Sequence, residues 1–151
     1  MDISKLLFVY SEQLKNLISL SEIVKEKKAA LVSAKHSEFE LLISREEKAL
    51  MAVQSIEKQR RQLASEIITE TFPLLAGKTG VKLSRILNGL ISPADLNKLI
   101  KLENELREGI VKLNEENAQN LFLIQHMRTF YNGAVQALMG KSNTSLIDRR
   151  A

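Results

Sequence analysis

Proline occurs only twice in this chain of 151 residues, at positions 73 and 93. It has no backbone donor and crowds the preceding turn, so each of these sites ends or begins a helix. The stretches before Pro73 and after Pro93 are rich in Leu, Ile, Ala, Glu, Lys and Gln. Such composition favours long helices over the short strands and frequent turns of a β protein. The expected class is therefore all-α, built from a few elements much longer than the usual helix of a compact domain.

Hydrophobic spacing places those elements. Leu7, Tyr10, Leu14, Leu17, Val24 and Leu31 recur at steps of three, four or seven, which is one apolar stripe on a helix over about residues 2–34. The stripe lapses at Ala34, Lys35 and His36, where a short connection is predicted. Ser37 and Glu40 then have the spacing of a capping box, which starts a second helix over about 38–71. Leu42, Ala49, Ala52, Ile56 and Leu63 keep heptad-like spacing along it, and Pro73 stops it near Thr71. A helix of that length, roughly 50 Å at 1.5 Å per residue, is expected to pair with the first as an antiparallel hairpin.

Gly77, Gly80 and Gly89 mark the next segment as a loose linker carrying one short helix over about 82–90. Ser92 and Pro93 have the character of an N-cap and a first helical residue, so a third long helix is predicted over 93–139, with Gly140 as its stop. Its stripe is Leu99, Leu106, Ile110, Leu113, Asn117, Ile124, Met127, Tyr131, Ala134 and Leu138. Glu103 with Arg107, and Glu108 with Lys112, have the i, i+4 order that supports an exposed helix face by roughly 0.2–0.5 kcal/mol per pair. The remaining residues, 141–151, have little to bury and are expected to form a disordered, flexible tail beside a single helical domain over 1–140.

Several function classes are disfavoured by the same residues. The 22 Lys and Arg and 18 Asp and Glu give a net charge of +4, but the signs alternate along the chain, as on a solvated surface and not a nucleic-acid interface. The helix start at Ala94, Asp95, Leu96 and Asn97 is acidic where a helix-turn-helix reader would be basic. Cysteine is absent, which removes disulfides, thiolate nucleophiles and Cys-ligated zinc. Neither His36 nor His126 belongs to a Glu-x-x-His pair, since Ser33 and Leu123 stand three residues before them, so no metal or cofactor is expected. The Gly77-Lys78-Thr79 run lacks the earlier glycine of a phosphate loop, with Pro73 in its place. No apolar run approaches the roughly 20 residues that span a bilayer, and the N-terminus lacks the order of a signal peptide. These readings together predict a cytoplasmic protein that is not an enzyme and has no stable membrane insertion.

What remains is a set of helical stripes with polar insertions. Asn117 falls within the stripe of the last helix, with Asn114 before it and Asn120 after it. An Asn at a helix seam costs stability and can fix register or partner choice. These Asn residues either border an internal core or line a groove for another helix. In the second case Leu106, Ile110, Leu113, Asn117, Leu121 and Ile124 offer the i, i+3 or i+4, i+7 spacing of a helix-in-groove surface. Arg60 and Arg61 have two readings as well: an ion-paired face, or a dock for an acidic partner surface.

Two blocks carry a family resemblance. REEKALMAVQSIEKQRRQLA at 45–64 and LNEENAQNLF at 113–122, in a helix, turn, helix, linker, helix, tail order, resemble the FlgN family of flagellar export chaperones. The resemblance implies binding of the C-terminal amphipathic helices of hook-filament junction proteins and their delivery to the flagellar export gate and ATPase complex. Cargo would then be bound by Leu106, Ile110, Leu113, Asn114, Asn117, Leu121 and Ile124, and the export apparatus contacted by Arg60, Arg61, Met139 and Gly140. Family members often carry a Tyr-Gly pair where this chain has Met139 and Gly140, and Tyr131, two turns earlier, falls on the apolar stripe. The competing reading is a structural or adaptor coiled coil that forms a permanent homodimer through the same stripes.

Overall fold

A computed structural model of the protein describes residues 1–77 and 82–139, and from residue 127 onward only some of the side chains. The expectations for Gly80, for Gly140 and for the tail at 141–151 lie outside the described residues, as do those for the side chains of Met127, Tyr131, Ala134, Leu138 and Met139. The architecture is all-α: α1 Ile3–Val32, α2 His36–Thr71, a 3-10 turn at Pro73–Leu75, α3 Leu83–Ile86 and α4 Pro93–Met139.

Local chemistry sets most of these boundaries. Asp2 caps α1 by accepting a 3.0 Å hydrogen bond from the Lys5 amide. Ser92 caps α4 by accepting from the Asp95 amide at 3.1 Å, with Pro93 as the first helical residue. The α1–α2 connection is tighter than predicted. Lys35 N–H donates to Ala30 C=O at 3.0 Å and Ala34 N–H to Leu31 C=O at 3.2 Å, the paired bonds of a Schellman turn. Ala34 holds the left-handed position, φ 54°, that glycine usually takes.

This turn delivers the chain into α2 at His36, so the predicted capping box at Ser37 and Glu40 does not start the helix. Lys35 is the N-cap and makes no side-chain cap bond, while Ser37 already lies within the first turn. The linker helix is likewise shorter than the predicted 82–90, because the chain leaves helix at Leu87 and turns through Gly89 at φ 81°.

Helix α1 packs against both other long helices. It runs antiparallel to α2, as Lys27 with Glu46 and Tyr10 with Arg60 show, and parallel to α4, where Leu17 lies against Gly109 and Val24 against Asn120. Two partners require a wider apolar face than one stripe: Leu6, Val9, Leu20, Ile23 and Ala30 are buried together with Tyr10, Leu17 and Val24. The main core joins Leu6, Val9, Tyr10, Leu17, Leu20 and Val24 to Ile56, Leu63 and Ile67 of α2, to Leu83, Ile86 and Leu87, and to Leu99, Leu106 and Leu113 of α4. A second, smaller cluster of Ile23, Ala30 and Leu42 near the hairpin turn contains no buried residue of α4. None of the described helices is long and apolar enough to cross a membrane.

Candidate functional site

Helix α4 carries two rows of residues with the same seven-residue period. Leu99, Leu106, Leu113 and Asn120 form the inner row and are all buried. At 3.6 residues per turn, Ile110, Asn117 and Ile124 form a second row turned partly away from it. Of these, Ile110 is 46% exposed, Asn117 is exposed and Ile124 is half-buried. The predicted cargo residues therefore divide. Leu106 and Leu113 belong to the core, whereas Ile110, Asn114, Asn117 and Leu121 line an outward face.

The seam asparagine is Asn120 and not Asn117. Its Nδ2 donates to the Val24 carbonyl at 2.9 Å, while its buried Oδ1 has no partner. Its place seven residues after Leu113 is the sequence signal for this; the row through Ile110 and Ile124 has the same period and contains Asn117. Val111 and Phe122, 53% and 66% exposed, extend the outward face and were missed because they fall off the inward stripe. The Phe122 ring stacks on His126 with centroids 6.1 Å apart.

Polar contacts hold this half of α4 against α1. Ser21 Oγ donates to Glu116 at 3.0 Å, Lys25 lies 3.9 Å from the same carboxylate, and Lys28 donates to Gln119 at 2.9 Å. Where the hairpin turn meets Ile124, a cleft of about 190 Å³ opens between Ala30, Leu31, Phe39 and Ile124. The predicted ladder pair of Glu103 and Arg107 does not form. Glu103 instead accepts from the Ser84 amide at 3.1 Å and from its hydroxyl at 2.6 Å, fastening α3 to α4, and Arg107 donates to Asn104 at 3.1 Å. Glu108 and Lys112 are not ion-paired either; both border a groove between α1 and α4.

The Arg60–Arg61 pair is held by Glu57. Arg60 donates to both Glu57 oxygens, at 2.9 and 2.8 Å, and Arg61 adds a bond of 2.7 Å. Gln13 of α1 donates to the same carboxylate. Hydrogen bonding from Arg60 lowers the Glu57 pKa to about 2 against the opposing effect of burial, with Arg61 and Gln13 adding to it. The same bond raises the Arg60 pKa above its ordinary value. Its guanidinium also sits 5.5 Å over the Tyr10 ring, whose hydroxyl burial pushes above the usual tyrosine pKa. Arg60 is thus turned into the α1–α2 interface, and Arg61, 76% exposed, is the outward member of the pair.

Among the described residues no group of three or more His, Asp or Glu side chains is placed to hold a metal ion. Ile110, Val111, Leu121 and Phe122 are exposed along the outward side of α4. A family model, FlgN protein, matches residues 1–147. The chain belongs to the FlgN family. No curated protein and no solved structure matches it significantly. FlgN proteins are flagellar export chaperones that bind flagellar proteins, and the FlgN match spans α1 to α4 together with the outward face of α4.

Proposed function

We propose that this chain is a cytoplasmic chaperone, not an enzyme and without cofactor, whose 1–140 region acts as one domain. Its cargo is the C-terminal amphipathic helices of hook-filament junction proteins, which it keeps from premature assembly and delivers to the export gate and ATPase complex. The observation that carries the reading is the outward face of α4, where Ile110 and Leu121 are 46% and 57% exposed beside Asn114 and Asn117. Large apolar residues aligned on one side of a helix suit a helix-in-groove partner.

Leu106 and Leu113 serve the free protein as core and reach cargo only if α4 lifts from α1 along its length back to Leu106. The support for such lifting is the nature of its attachments, which are mainly exposed or partly exposed polar bonds to Ser21, Lys25 and Lys28. Arg61, together with Met139 and Gly140, is the proposed contact with the export apparatus, and Arg60 acts mainly by holding Glu57.

The test is calorimetric titration with a peptide of the last ~40 residues of a junction protein from the same genome, long enough for a helix along α4. Saturable binding with a negative heat-capacity change is expected. Hydrogen exchange across 75–130 with and without peptide tests the lifting, which strong uniform protection in the free protein rules out. The homodimer reading rests on the exposed Leu41 and Met51 of α2; an elongated dimer in light scattering that ignores the peptide would favour it.

A further inference from the structure

The outward face of α4 has a charge pattern that specifies its partner more narrowly than its apolar residues do. Arg107, Asn114, Leu121 and Arg128 stand seven residues apart, so a partner helix lying along that face meets all four. Both arginines are exposed. Neither forms an ion pair with a carboxylate among the described residues, whereas every arginine of α2, Arg45, Arg60 and Arg61, does. Between them lie two apolar pairs, Ile110 with Val111 and Leu121 with Phe122, all exposed. The pairs are offset by eleven residues, about three helical turns or roughly 16 Å. Asn114 and Asn117 occupy the gap.

We infer that this face docks an amphipathic helix of about six turns that is acidic at both ends, apolar at two places about three turns apart, and polar at its centre. The inference rests on the chaperone reading and names the chemistry of its cargo. Acidic side chains at the ends of the partner ion-pair with the two arginines, which lie roughly 31 Å apart along the axis. Apolar side chains cover the two exposed pairs. An amide or hydroxyl at the centre satisfies Asn114 and Asn117, which an all-apolar partner would leave buried without hydrogen bonds; leaving such a group unpaired costs of order tenfold in affinity. Glu115, seven residues before Phe122 in the same row, favours a basic residue there and so sets the partner's direction. The cleft at Ala30, Leu31, Phe39 and Ile124 borders one end of the track and gives a long apolar side chain a place to enter. The arginine at each end gives the surface selectivity: it rejects helices with basic ends by like charge.

The test compares the full chain with two variants, Arg107→Glu plus Arg128→Glu and Ile110→Ser plus Leu121→Ser, titrated with the ~40-residue junction-protein peptide at low and moderate salt. All four positions are exposed, so thermal melts are expected to show unchanged folding. Each double variant should bind at least tenfold more weakly. The charge-reversed one should also lose most of the salt dependence of the wild type, and regain affinity for a peptide whose terminal acidic residues are changed to Lys. Wild-type binding with both variants within twofold of it overturns the assignment of this face and leaves the chaperone reading standing. Weakening by Arg107→Glu plus Arg128→Glu without rescue by the Lys peptide overturns the charge pairing. Failure of the wild type itself to bind overturns the chaperone reading together with this one.

Discussion

The two ends of the bundle are built from the same three helices on different terms. At the end where α3 folds over, Leu6, Leu87 and Leu99 have no exposed surface, and α1, α2, α3 and α4 all contribute to one core. Toward the hairpin turn, α1 and α2 keep a small apolar cluster to themselves, and α4 is attached through Glu116, Gln119 and Asn120. Apolar burial is worth roughly 25 cal/mol per Å², whereas exposed polar pairs contribute about 0–1 kcal/mol each. The difference teaches that one continuous helix is attached in two ways: its first half is a wall of the apolar core, and its second half meets α1 mainly through polar contacts.

Truncation is the most direct way to break the comparison. Leu99→Ala leaves a void in the closed end and is expected to destabilise by about 2–5 kcal/mol. Ile124→Ala, at a half-buried site beside the turn, should cost about 1 kcal/mol or less. Urea unfolding of both variants checks this; equal losses would mean that α4 is packed as firmly at the turn as at the α3 end.

Acid sharpens the comparison from the α1–α2 side. Glu57 has a pKa near 2 in the folded protein against 4.5 when unperturbed, so the folded state holds its proton less tightly than the unfolded one. The sign follows: the stability from this group is complete above about pH 4.5 and is lost as pH falls toward 2. With solvent screening of a partly exposed cluster the loss is about 1–2 kcal/mol. Glu57→Gln should remove that part of the pH dependence in stability curves recorded between pH 5 and pH 2.

The hairpin turn offers a gain instead of a loss. Ala34 adopts φ 54°, a conformation that costs an L-residue roughly 1–2 kcal/mol and glycine little. After the extra chain entropy of glycine in the unfolded state, Ala34→Gly is expected to stabilise by about 0.5–1 kcal/mol. A higher thermal midpoint with unchanged binding of cargo peptide would locate the strain in the turn and separate it from the site.

These features differ in how visible they were in the sequence. Pro73 and Pro93, with Ser92 before the latter, mark real helix boundaries because proline acts through its own covalent geometry, whatever the rest of the fold does. The turn was less legible: a Schellman closure normally announces itself with glycine, and here Ala34 fills that place. The spacing along α1 shows one stripe, enough for one partner, and its wider buried face answers a second partner some ninety residues away in the chain. The Arg60–Arg61 pair is visible in the sequence, but not that Glu57 and Tyr10 turn Arg60 inward, since that depends on which α1 residues face α2. On α4 periodicity found both rows, but a period has no phase, and only the position of α1 decides which row is core.

That question of phase gives the smallest stability effect and the clearest division between scaffold and site. Asn120→Leu removes a buried amide whose Oδ1 is unpartnered, and the Val24 carbonyl it releases lies within helix α1, where the backbone ladder already supplies a donor. An apolar side chain of similar size should therefore leave stability equal or raise it by about 1 kcal/mol. Asn117→Leu changes an exposed position and should move stability by less than about 0.5 kcal/mol. Its effect belongs to the complex, where a partner's polar side chain loses its mate and affinity falls of order tenfold. Denaturation and titration on the two variants give a crossed outcome if the inner row is Leu99, Leu106, Leu113 and Asn120. The reverse pattern, with Asn117→Leu stabilising the free protein and Asn120→Leu changing only binding, would place α4 one row out of register against α1 and turn its outward face by about 50°.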